Sequence, residues 1–261
     1  MTLRGFLLLW GHAASRALRG RRGLALLFLA ALPVVLAWIQ VQHGRHLSET
    51  AFVAVTLMFV FQFVVPVAGL FLGVAVLGDE IEGRTITYLF TRPIPRPLVF
   101  LASYLGAVSA FAPLLAIAVG AMAHIFGTRV PVTGRDAVAS AGIAVAGFVV
   151  YTAIFATLRL YFQRALFIGF IFGFIVEGAI SKLPESGISS WSVWHHLALL
   201  EVRLFDGRLP GQHLRHLLQS IAPDETVAGS VAVLATVLAV ALVIGMLQIR
   251  AQETRLANAS T

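Results

Sequence analysis

The amino-acid sequence predicts an all-α integral membrane protein with six transmembrane helices. Three observations predict it. Of 261 residues, 59% are hydrophobic and only 12% are charged, with mean hydropathy +0.89; a soluble domain carries about 25% charge. The apolar residues fall into six runs, at 24–42, 51–78, 98–126, 137–160, 164–181 and 227–249, each near or above the ~20 residues that cross a bilayer. The basic residues gather at alternate ends of those runs.

The net charge of +7 comes from eighteen Arg and one Lys, Lys182. Most of these flank apolar spans, so the charge reads as membrane topology and not as a nucleic-acid surface. No Cys is present, which excludes disulfides, thiolate metal sites and thiol nucleophiles.

Residues 1–22 place Leu3, Phe6, Leu7, Trp10, Ala14 and Leu18 on one helical face, with Arg4, His12, Arg16 and Arg19 elsewhere. This pattern predicts an amphipathic helix lying in the membrane interface. Arg19, Arg21 and Arg22 then precede Leu24–Val41, a run longer than a signal-peptide core and without a small-x-small cleavage site. It is expected to be a retained first span. The second and third runs are long enough to tilt or to project beyond the bilayer. Pro33, Pro66 and Pro113 lie inside spans, where neighbouring helices satisfy the freed carbonyls.

With the N-terminus inside, twelve of the nineteen basic residues fall on the inner side, and four of the seven outer ones share one long loop, where the bias counts less. Both termini are expected in the cytoplasm, and the polar segment 79–97 becomes a cytoplasmic loop. Asp79, Glu80 and Glu82 open it as the start of a candidate helix, where acids suit the helix dipole. Ile81, Thr85, Tyr88 and Leu89 follow at helical spacing, and Pro93, Pro95 and Pro97 hold the exit extended. The outer loop 182–226 is polar overall yet carries Trp191, Trp194, Leu197, Leu199, Leu200, Val202, Leu204 and Phe205. One or two short helices are expected there, at or dipping into the outer leaflet, with Ser189 or Ser190 as a cap. No repeat or low-complexity tract divides the chain.

Within the loop, Asp79-Glu80-Ile81-Glu82 and Thr85-Ile86-Thr87-Tyr88-Leu89-Phe90-Thr91-Arg92-Pro93-Ile94-Pro95-Arg96 resemble the segment after the second span in permeases of ABC-2 type transporters. The likeness of layout covers the whole chain; the likeness of motif is confined to this loop, where Arg84 stands at a position often held by Gly in the family. The resemblance implies a single ABC-2 type transmembrane domain over 1–261, with 1–22 as interfacial helix, 79–97 as coupling loop and 182–226 as outer helical loop. It implies that a coupling helix docks into a groove of an ATPase subunit. Glu80, Glu82, Thr85, Tyr88, Leu89, Arg92, Pro93 and Arg96 would form or support that contact. The implied assembly has two permeases, as a homodimer or a related heterodimer, and two ATPases. ATP and Mg belong to the ATPase, and no cofactor to this chain. The implied place is the cell's inner (cytoplasmic) membrane.

A P-loop requires a Gly-Lys-Ser/Thr end, and Lys182 sits in Ser-Lys-Leu-Pro. The chain is not expected to be an enzyme, and any ATP-driven motor must be another polypeptide. Asp79-Glu80-x-x-x-Arg84 faintly resembles the first motif of CAAX-type intramembrane proteases, but their Phe-x-x-x-His and His-x-x-x-Asn motifs do not occur, nor does Gly-x-Ser-x-Gly. Two functions of different class remain: the permease of an exporter, or a mechanotransmission or assembly subunit that moves no solute itself.

Gly69–Gly73 and Gly169–Gly173 are Gly-x-x-x-Gly pairs that suit either a dimer seam or packing within the chain, and Ala241–Gly245 is a looser version. Glu177 is the deepest acid, expected to snorkel or to pair with Lys182, with a transport role as the alternative. His124 is treated the same way. The pairs His43–His46 and His213–His216 have metal-compatible spacing without supporting Cys or acids. Gln62, Ser103, Ser109, Tyr151 and Thr152 suit both an amphipathic cargo and ordinary helix packing.

Overall fold

The structure, a computed structural model, describes residues 3–44, 47–82, 95–177, 192–205 and 226–259. All regular structure among them is helical. The helices are α1 (Leu3–Ala17), α2 (Gly20–His43), α3 (Glu49–Val55), α4 (Val65–Glu82), α5 (Arg96–Gly127), α6 (Gly134–Tyr161), α7 (Ala165–Phe170), α8 (Val193–Leu204) and α9 (Val227–Ala259). Five helical stretches are long and apolar enough to cross a membrane: Gly20–His43, Glu49–Val76, Arg96–Gly127, Gly134–Tyr161 and Val227–Ala251. Of the expected fifth run, 164–181, residues 164–177 are described and hold the shorter apolar helical stretch Ala165–Ile175; 178–181 lie outside the described residues.

Local chemistry explains the boundaries. α6 starts with a capping box: the Thr133 hydroxyl accepts from the Asp136 N–H, and the Asp136 carboxylate accepts from the Thr133 N–H at 2.8 Å. Gly20, at φ 69°, makes the tight turn that lets α2 leave α1 at an angle. Between α3 and α4 the helix widens into a π-helical segment, Thr56–Val64, which ends two residues before Pro66. Proline lacks an N–H and crowds the preceding turn, and the wider segment relieves that conflict.

α6 is the hub, packed against α4, α5, α8 and α9. Its seam with α4 is made by the absence of side chains. A carbon added to Gly69 would lie 2.8 Å from the Tyr151 Cβ, and one added to Gly73 would lie 2.7 Å from the Thr152 carbonyl oxygen. Such close backbone approach is the basis of small-residue packing in membranes. Gly169 lies against Leu70 and Phe155, and Gly173 against Phe155 and Pro66. All four glycines thus contact other helices of the same chain. Two side chains pin α6 further: Tyr104 donates to the Val149 carbonyl at 2.9 Å, and Thr157 donates to the Ala241 carbonyl at 2.7 Å.

α1 packs on α5 where Gly106 admits it; a carbon there would lie 2.6 Å from the Ala13 Cβ. Ala13 is buried, whereas Leu7, Leu8, Trp10 and Leu18 are exposed. The helix therefore has a small-residue face against protein and a bulky apolar face free of it, a form suited to an interface between protein and lipid.

Candidate functional site

Two places concentrate chemistry. The first is the end of the bundle where α4 stops and α5 starts. Helix α4 runs on past Val76 to Glu82. Asp79, Glu80 and Glu82 therefore close α4 and do not open a new helix. The apolar span that precedes them carries the helix through, although acids at a C-terminus oppose the helix dipole. Arg159 reaches this level of α4: its Nε would lie 3.1 Å from a carbon added to Gly78, one residue before the acids. Arg159 is 7% exposed, and its Nη1 donates to the carbonyls of Gln163 and Phe162 at the α6–α7 corner. One guanidinium thus packs beside Gly78 of α4 while it hydrogen-bonds the turn between α6 and α7.

The chain returns at Pro95, with φ −56° and ψ 124°, and α5 begins at Arg96. Pro97 lies in the first turn of α5, where its missing N–H costs nothing, so it starts the helix and does not extend the exit. Arg96 is half-buried on that turn. Thr85, Tyr88, Leu89, Arg92 and Pro93 lie outside the described residues, as do the side chains of Glu80 and Glu82.

The second place lies in the middle of the bundle and was not expected. α7 continues as a π-helical segment, Ile171–Val176, to Glu177. Contacts set its depth: Gly169 meets Leu70 and Phe155, and Gly173 meets Pro66. Glu177 faces Tyr151, about 25 Å along α6 from Gly134 at 1.5 Å per residue. α8 begins at that level. The Glu177 Oε1 accepts from the Trp194 N–H at 2.8 Å and from the Ser192 hydroxyl at 3.2 Å, while the Ser192 hydroxyl accepts from the His195 N–H at 3.3 Å. Glu177 and Ser192 together cap α8. Trp194 donates its indole N–H to the Leu57 carbonyl in the first π-helical segment at 3.3 Å.

From there α8 runs outward, antiparallel to α6. Leu197 packs on Gly147, Glu201 accepts from the Ser140 hydroxyl at 2.6 Å, and Phe205 packs at a tilt against Phe52, which meets Phe126 edge-on. Two half-helices, one rising to Glu177 and one leaving from Ser192, therefore meet near the centre of the bundle. Such a junction is tolerated at membrane depth only when its polar ends satisfy each other within protein. Glu177 is 4% exposed and does not snorkel. The short helix expected within 182–226 is α8, and its N-terminus lies against Glu177.

α8 is buried nearly all round, including His195, His196 and Glu201. The His196 ring nitrogen Nδ1 lies 3.2 Å from the Ser230 hydroxyl of α9, and the two imidazoles are perpendicular with centroids 5.2 Å apart.

Other candidates are quieter. Thr152 donates to the Phe148 carbonyl at 2.6 Å and Ser109 to the Gly106 carbonyl at 3.1 Å, so both hydroxyls are used within their own helices. His124 is exposed. Among the described residues no group of three or more potential metal ligands occurs, and His46, His213 and His216 lie outside them. Arg159, Glu201 and the His195–His196 pair are the polar residues that sequence reasoning passed over. Arg159 offered one signal, being a charge inside a predicted span, one residue from its end. Compared with protein families and with characterised proteins, the sequence matches none of them.

Proposed function

We propose that this chain is the permease subunit of an ATP-driven exporter of the ABC-2 type, coupled to a separate ATPase subunit. One observation carries the reading. α4 continues beyond its apolar span to bear the acidic cluster Asp79–Glu82, and Arg159, which hydrogen-bonds the α6–α7 corner, packs beside Gly78 at the base of that extension. A force applied to the loop would reach α4 and α5 directly, because α4 leads into it and α5 leads out of it, and α6 through the packing of Arg159 beside Gly78.

In this reading the chain crosses the cytoplasmic membrane six times, counting the α7–α8 pair as part of a broken passage, and both termini are cytoplasmic. Two copies pair with two ATPases, which hold ATP and Mg. Glu80, Glu82, Thr85, Tyr88, Leu89, Arg92, Pro93 and Arg96 form or support the docking surface. The chain itself makes and breaks no covalent bond; it converts closure of the ATPase pair into a change of packing around α4 and α6.

The test is association. Affinity-purified chain should carry an ATPase subunit whose hydrolysis responds to the permease, and Glu82→Arg should reduce that association by tenfold or more while leaving the thermal midpoint unchanged. Glu82 is suited to this test because it ends α4 outside the apolar span. Purification of a stable, active chain with no ATPase, or unchanged association of the variant, would sink the proposal.

A further inference from the structure

The two π-helical segments, Thr56–Val64 and Ile171–Val176, come together at one residue of α8. Trp194 donates its indole N–H to the Leu57 carbonyl of the first segment, and its backbone N–H to Glu177, which follows the second. The segments also touch each other: the Phe63 and Phe174 rings meet edge-on with centroids 6.0 Å apart. Phe59 stacks on Phe63 and Phe170 on Phe174, so four rings run from one segment to the other. A π-helix is rare and occurs where its surroundings hold it, frequently at functional sites. Pro66 follows the first segment closely, but residues 165–177 contain no proline. The second segment instead ends on α8, through Glu177.

Other contacts decide which parts are free to turn. Gly69 and Gly73 seat α4 on α6, and Gly169 seats α7 on Leu70 and Phe155. On the far side of each segment lie α3 and Glu177, and both hold α8. Phe52 of α3 packs on Phe205 at the end of α8, with centroids 5.6 Å apart, and Glu177 caps the start. α8 is therefore gripped at both ends by groups whose orientation the π-helical register sets. Return of a segment to α-helical bonding would turn what lies beyond it by about 100° and shift it by about 1.5 Å, one residue position. Phe52 would then leave Phe205, and Glu177 would leave Trp194.

We propose that α8 and the two π-helical segments form one conformational switch: α8 is seated while both segments are π-helical and is released when both relax to α-helix. Trp194 is the latch, and the four phenylalanine rings make the two segments change together. A bistable packing of this kind converts a small local change into movement of a whole element. The device lies within the chain and stands apart from coupling to any ATPase.

Hydrogen exchange of the full chain in lipid nanodiscs tests it. Trp194→Phe removes the indole donor to Leu57, and Ser192→Ala removes the hydroxyl donor to Glu177, so each variant touches one segment only. One lost hydrogen bond corresponds to a change of about tenfold. Each variant should therefore speed exchange about tenfold in both Thr56–Val64 and Ile171–Val176, with α3 following and α6 changing less than about threefold. Ser192→Ala is the smaller change and keeps the test open should Trp194→Phe not fold. Faster exchange confined to the segment that each variant touches, an even rise across the bundle including α6, or no change in either segment would overturn the proposal.

Discussion

Gly73→Leu is expected to prevent recovery of folded protein. The added Cβ would lie 2.7 Å from the Thr152 carbonyl oxygen and 2.9 Å from the Ala156 nitrogen, and these are backbone atoms of the hub helix α6. A side chain can rotate away from a clash; a helix backbone cannot without moving its neighbours. Overpacking typically costs 1–3 kcal/mol, and here separation of α4 from α6 would remove the longest seam of the bundle, so about 3 kcal/mol or more is expected. Folded domains are stable by about 5–15 kcal/mol. Gly173→Ala is the control, because its nearest neighbours stand at 3.4 Å and 3.8 Å, ordinary contact distances. Monodispersity in size-exclusion chromatography and the thermal midpoint decide the matter. Normal recovery of Gly73→Leu would show that α4 and α6 do not pack this way.

Glu177→Ala should release α8. Its carboxylate holds the Trp194 N–H and the Ser192 hydroxyl, and both would be left buried without that acceptor. Hydrogen bonds to a charged group contribute about 1.5–3 kcal/mol, and unsatisfied buried donors cost about 1–3 kcal/mol each. A loss of about 2–4 kcal/mol is therefore expected, centred on α8. Glu177→Gln keeps a carbonyl acceptor and should lose about half as much. Hydrogen exchange over residues 192–205 is the discriminating readout. Protection there should fall in the alanine variant, while α6 retains its own. Uniform loss across the bundle, or no loss, would show that Glu177 does not anchor α8.

The membrane class was legible because it depends on composition and run length. Four of the five long spans lie within a few residues of the predicted runs; the second run begins and ends as predicted only if the π-helical segment is counted with α3 and α4. The fifth run, 164–181, is described only as far as Glu177, and what hydropathy does not carry is the polar partner met there. The partner is Ser192, fifteen residues away, and its role appears only when the Glu177 carboxylate is found on the α8 N-terminus. α8 was expected as a short helix at or dipping into the outer leaflet; that Glu201 meets Ser140 of α6 and His196 meets Ser230 of α9 is written in no local pattern. At the loop, the acids Asp79, Glu80 and Glu82 fit a helix start by local rule, and the preceding span overrode that rule by carrying α4 to Glu82.

By itself the sequence determined that this is a helical membrane protein with its charge gathered outside the spans. The cost of burying charge in lipid acts on each residue separately, so it is written locally. Only the tertiary structure decided which helices touch, that the Gly69–Gly73 face lies on α6, and that Glu177 caps a helix in the middle of the bundle. Those outcomes depend on hydrogen bonds and backbone contacts between residues far apart in sequence, and no local pattern encodes the distance between them.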